Sequence, residues 1–169
     1  VLDFSKIDAG KLELDTATFD LEEAIFDVMD MLSPLAAQKH IDMAFYYADN
    51  VPKHVVGDAL RFKQILTNLI SNAIKFTPDG EIIVRARMEQ DDIGQCLLHF
   101  SVQDSGIGLS GTDRKKLFES FSQGDASVTR QFGGTGLGLA ISKQLVHLMQ
   151  GQIGFEDNQE RAPTEKGST

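Results

Sequence analysis

Apolar residues recur three and four apart through Arg61–Thr77, RFKQILTNLISNAIKFT. At about 100° per residue, Phe62, Ile65, Leu66, Leu69, Ile70, Ala73 and Phe76 form a broad apolar side of one helix. A second side gathers Arg61, Gln64, Asn68, Asn72 and Lys75 within an arc of roughly 80°. Asn68 and Asn72 are i,i+4 neighbours, with Lys75 a turn beyond. Asparagine disfavours helix, because its side chain competes for nearby backbone groups. The polar side therefore reads either as a solvated face or as a ligand-holding one. An amide oxygen suits a hard divalent cation and a lysine suits a phosphate.

The same patterning assigns the rest of the chain. Val1–Ala9 has the look of the last turns of a helix, closed by Gly10. Lys11–Phe19 alternates and predicts a strand. Asp20 and Glu23 form a capping box for a helix over Leu21–His40. That helix turns Leu21, Ala24, Ile25, Val28, Met29, Leu32 and Leu35 inward, and Pro34 kinks or splits its last turns. Ile41–Ala48 is β-prone, and a turn follows over Asp49–Pro52. Asp58 is placed to cap the central helix. Glu81–Glu89 and Gln95–Gln103 predict a hairpin. Ala140–Gln150 is an amphipathic helix capped by Gly151, and Gln152–Glu156 a further strand.

With 169 residues, 41% of them hydrophobic, the chain has room for one globular domain with a small appendage. Its formal charge of −9 argues against a general nucleic-acid surface. An anionic ligand must then be held by local cations and backbone N–H groups. A lone cysteine, Cys96, leaves no internal disulfide, which fits a reducing compartment, and it reads as a small buried apolar group. No apolar run reaches the length of a membrane span, and no signal peptide is visible. The start at Val1, in mid-pattern, is expected of a piece of a longer protein.

Two glycine stretches bear on the polar face. Gly133-Gly134-Thr135-Gly136-Leu137-Gly138 opens a helix, where N–H groups and the dipole favour anions. It follows a long polar segment, and no Gly-Lys-Ser/Thr comes after it. A Rossmann fingerprint and a Walker A loop are thereby disfavoured. It reads as a phosphate cradle or as a glycine-capped helix start. Asp104 precedes Gly106-Ile107-Gly108 at a strand end. It reads as an acceptor for an exocyclic amine, such as adenine's, or as an Asx-turn residue. The roughly 25 irregular residues between these stretches suggest a lid with a short helix near Asp113–Glu119. Phe118 and Phe121 are its anchors or ordinary core contacts, and Arg130 is a cation near its end.

The order NLISNAIKFT, DSGIG, FESFSQ, GGTGLGLA resembles the N, G1, F and G2 boxes of the ATP-binding catalytic domain of sensor histidine kinases. That domain belongs to the gyrase/Hsp90/kinase/MutL superfamily. The resemblance spans about Phe19–Glu156. The opening VLDFSKIDAGKLEL is similar to the end of the second dimerisation-domain helix and the strand after it, in the style of hybrid sensor kinases. It implies an α/β fold, a two-layer sandwich of the Bergerat type: a mixed sheet, helices on one face and a flexible ATP lid. Residues 1–10 would close the dimerisation helix, and 11–169 would be the catalytic domain with its last strand truncated.

The resemblance implies ATP and Mg²⁺ as ligands, with Asn72 the metal ligand. Asn68 would line the phosphate pocket, and Lys75 would reach the phosphates. Asp104 would bond the adenine amine, with Phe76 and Ile107 near the base and Gly106 and Gly108 shaping the slot. Gly134, Thr135, Gly136, Leu137 and Gly138 would face the phosphates. Phe118, Phe121 and Arg130 would act from the lid, with Asn68, Lys75 and Arg130 serving catalysis.

The implied partners are a dimerisation domain carrying the acceptor histidine and a receiver domain downstream. No nucleic-acid partner is implied. The piece itself would be monomeric and cytoplasmic, within a homodimeric parent that an inner membrane could anchor. His40, His54, His99 and His147 lack the acceptor's sequence context. Related ATPases place a glutamate where Asn68 stands, to activate water, so an amide there favours kinase over hydrolase. A nucleotide-binding module that only docks partners is the third reading.

Overall fold

The computed structural model describes residues 12–90, 96–106, 108 and 137–156. Their elements run β1 (Ala17–Asp20), α1 (Leu21–Gln38), β2 (Ile41–Tyr47), β3 (His54–Gly57), α2 (Ala59–Phe76), β4 (Gly80–Gln90), β5 (Cys96–Asp104) and α3 (Gly138–Leu148). β2 pairs parallel with β4 and β4 antiparallel with β5, so the main sheet is mixed. β1 and β3 make a separate antiparallel ribbon. One apolar core joins Ile25 and Val28 of α1, Leu66 and Ile70 of α2, and Ile82 and Val84 of β4. The helices thus cover one face of the sheet, the two-layer arrangement the motifs imply.

α1 begins where Asp20 accepts from the Glu23 N–H at 3.0 Å. That bond is the main reason the Asp20 carboxyl lies below its ordinary pKa. The inward stripe is as expected except at its end. Leu35 is 50% exposed while Ala36 is buried. The two lie roughly 50° either side of the stripe's centre, and at this end of the helix it is Ala36 that is buried. Pro34 does not split the helix, which continues to Gln38 rather than His40. Its ring leaves the Asp30 carbonyl without an amide partner, and the Ser33 hydroxyl donates there instead at 3.0 Å. His40 has turned into the left-handed region, with φ 56°.

α2 starts at buried Asp58, whose Oδ1 accepts from the Arg61 N–H and Oδ2 from the Asp15 N–H, each at 3.0 Å. The second bond holds the segment expected to be strand from Lys11. Its burial alternates, with Leu12 and Leu14 half-buried, but ladder pairing begins only at Ala17. β3 was not legible, since four residues of His-Val-Val-Gly carry almost no period.

Residues 151–156 form no strand, against expectation, because no described strand takes them as a ladder partner. α3 ends with Gly151 N–H on the Val146 carbonyl and Gln150 N–H on that of His147. The left-handed position falls on Gln150, φ 60°, rather than on Gly151.

Candidate nucleotide-binding site

The polar side of α2 is not a solvated face. Arg61, Gln64, Asn68, Asn72 and Lys75 are all half-buried. α3 covers its middle. Asn68 Nδ2 donates to the Oγ of buried Ser142 at 2.8 Å, joining residues 74 apart in sequence. Gly138, in the first turn of α3, lies so close that a Cβ there would collide with Asn68 Oδ1. Asn72 Nδ2 points at that same oxygen, 3.5 Å away. This leaves Asn72 Oδ1, the hard oxygen, outside the amide pair.

The other glycine motif closes on the end of the same helix. A Cβ on Gly106 would stand 2.5 Å from the Phe76 carbonyl oxygen and 2.7 Å from Asp104 Oδ1. Asp104 faces Ile82 in the β4–β5 ladder, so it lies on the core-facing side of the sheet at a strand end. Its Oδ1 accepts from the Gly106 N–H at 2.9 Å. The Asx turn and the fixed carboxylate are therefore one geometry. Gly108 adopts φ 69°, which glycine tolerates. Lys75 Nζ lies 4.8 Å from the Phe76 ring centroid.

Leu137 occupies the N-cap position of α3 and is buried. Ile107, Phe118, Phe121, Arg130, Gly134, Thr135 and Gly136 lie outside the described residues, as do the expected lid, residues 1–11 and the side chain of Cys96. Two residues that shape this region escaped the motifs. Ser142 is one. The other is Lys39, whose ammonium reaches the last carbonyls of α2. Both make contacts that no local spacing reveals.

Among the described residues, no three His, Cys, Asp or Glu side chains could cage a metal ion. A single amide oxygen such as Asn72 Oδ1 instead fits Mg²⁺, which takes few protein ligands and completes its shell with phosphates and water. No described helix is long and apolar enough to cross a membrane.

Residues 57–169 match the family described as histidine kinase-, DNA gyrase B-, and HSP90-like ATPase. The chain is similar to the sensor histidine kinase GacS of Pseudomonas protegens, 50% identical over 156 residues. These are 92% of this chain and 17% of that protein. BarA of Escherichia coli K12, a signal transduction histidine-protein kinase, is 40% identical over 97% of this chain and 18% of its own length. The chain thus spans less than a fifth of these curated relatives.

Among solved structures, full-length ShkA in complex with AMPPNP aligns with TM-score 0.74 at 35% identity. The alignment covers 88% of this chain and 29% of that one. The nucleotide-free catalytic domain of histidine kinase ThkA gives 0.64 at 28% identity, covering 80% of this chain and 83% of that one. With its glycine motifs, its asparagine stripe and its mixed sheet, this chain belongs to the family of histidine kinase-, DNA gyrase B- and HSP90-like ATPases, on the sensor-histidine-kinase side.

Proposed function

We propose that this chain is the phosphoryl-donating unit of a sensor histidine kinase. It would bind MgATP and pass the γ-phosphoryl to a histidine on a dimerisation domain, from which a receiver domain takes it. One observation supports this most. Two glycine motifs close on one helix, at Asn68 and at the Phe76 carbonyl, with Asn72 and Lys75 half-buried between them. Eight residues of helix separate these contacts, roughly 12 Å, the scale of a nucleoside triphosphate.

Each residue then has a task. Asp104 accepts from the adenine amine, with its Oδ1 already fixed by Gly106. Phe76 and Ile107 pack by the base, and Gly106 and Gly108 keep the slot thin. Lys75 attracts the phosphates, and backbone N–H groups from Gly134 to Gly138 face them. Asn72 Oδ1 would hold the metal, while Asn68 braces Asn72 and bonds Ser142 of α3. Arg130 offsets charge on the transferring phosphoryl, and Phe118 and Phe121 anchor the lid over it. Bound Mg²⁺ would supply positive charge to offset that of the phosphates. Residues 1–10 join the dimerisation helix, within a homodimer whose catalytic part is cytoplasmic and whose other segments could anchor it in the inner membrane.

Calorimetric titration of ATP with and without Mg²⁺ tests the reading. The chain is expected to bind, and Asn72→Ala to weaken MgATP by about tenfold while barely changing metal-free ATP, since it removes a hard ligand. Absence of binding contradicts the proposal, and equal losses in both forms contradict the metal role of Asn72.

A further inference from the structure

Lys39 stands outside every motif, just past the end of α1. Its ammonium donates to the carbonyl oxygens of Ile74 at 2.7 Å, Lys75 at 3.0 Å and Thr77 at 3.4 Å. These are among the carbonyls that a helix end leaves without amide partners, and they lie at the negative end of the dipole. An ammonium has three donors and no acceptor, so it suits such a cluster. The gripped turn carries Lys75 and Phe76. Its Phe76 carbonyl is the surface against which Gly106 packs, and the Gly106 N–H holds Asp104 Oδ1. A continuous set of contacts therefore runs from Lys39 through the last turn of α2 to the Gly106 loop and Asp104.

We infer that Lys39 is a positioning residue for the base end of the nucleotide site. It fixes the last turn of α2 as the platform on which the Gly106 loop seats Asp104. This rests on the nucleotide reading above. The signature differs from that of a metal ligand: loss of Lys39 acts on the base end, so it weakens ATP equally with and without Mg²⁺. It differs also from that of a residue that only stabilises the fold, whose loss leaves the affinity of the folded molecules unchanged.

The test is Lys39→Met, which keeps most of the apolar stem and removes the ammonium. Affinities for MgATP, metal-free ATP and adenosine are expected to fall together by about tenfold, the loss of one charge-assisted bond. Lys39→Arg, whose guanidinium also donates to carbonyls, is expected to recover most of it. Leu32→Ala, in the buried stripe of α1 away from this turn, serves as the comparison that lowers melting temperature alone.

Unchanged affinity in Lys39→Met, or a loss no larger than that of Leu32→Ala, overturns the inference. Should Lys39→Met not fold, Lys39→Gln is read by amide hydrogen exchange. Faster exchange at Thr77 and Gly106, with β4 unchanged, supports the inference, and wild-type rates at both overturn it. Failure of the wild-type chain itself to bind ATP would instead overturn the proposed function.

Discussion

Asp104 shows how a single residue's place decides its chemistry. Opposite Ile82 in the ladder, its carboxylate lies on the face that the helices cover, not on the outer one. One oxygen holds the Gly106 N–H. In Asp104→Asn the remaining Oδ1 can keep that bond, so the loop and fold survive. The amide then presents NH₂ where the second oxygen was, a donor facing the adenine amine's donor. The cost is a charge-assisted hydrogen bond, about 1.5–3 kcal/mol, or roughly a tenfold to hundredfold loss of ATP affinity. Calorimetry on the folded variant measures it, and wild-type affinity would remove Asp104 from the site.

The helices meet through contacts that propensity would not choose. Gly138 lies in the first turn of α3, where alanine is favoured by about 1 kcal/mol on propensity alone. The contact reverses the sign, because a Cβ would displace Asn68 Oδ1 and break the Asn68–Ser142 bond. Gly138→Ala is expected to destabilise by about 1–2 kcal/mol, the cost of leaving buried polar groups unpaired. In an Asn68→Ala background the same substitution should be neutral or stabilising. Urea unfolding of the four proteins reads the coupling. Identical effects in both backgrounds would show that the two residues act independently.

What the sequence revealed follows the same division. Helices α1, α2 and α3 and the β4–β5 hairpin were legible because their periods run for many residues. The places of Asn68 and Asn72 on one helix stripe and of Asp104 at a strand end were legible because their motifs are local. β3 was too short to carry a period. The strand expected at Gln152–Glu156 has no ladder partner among the described residues, and no local pattern encodes a partner. Ser142 and Lys39 meet partners 74 and 35 residues away, so only the packed helices reveal them.

At the scale of the whole molecule, the charge of −9 gives no general attraction for a nucleotide. On the proposed reading, binding would come from Lys75, backbone N–H groups and the shaped slot. On that reading the acceptor would also come from elsewhere. His54 is exposed in β3, and His147 is exposed in the last turn of α3. His40 follows α1, and His99 faces Arg87 on the outer side of the sheet. None is on the asparagine stripe. Asn68 is an amide bonded to Ser142, not a carboxylate aimed at water. Phosphoryl transfer needs an aligned acceptor, and covalent linkage would supply its effective concentration.

Label transfer from γ-labelled ATP therefore tests the central claim most directly, with the chain incubated alone and with a separate dimerisation domain carrying its histidine. The expected result is acid-labile, base-stable label on the added domain, at a rate that rises with its concentration, and neither label nor rapid hydrolysis with the chain alone. Label on His40, His54, His99 or His147, or brisk hydrolysis without a partner, would contradict the account.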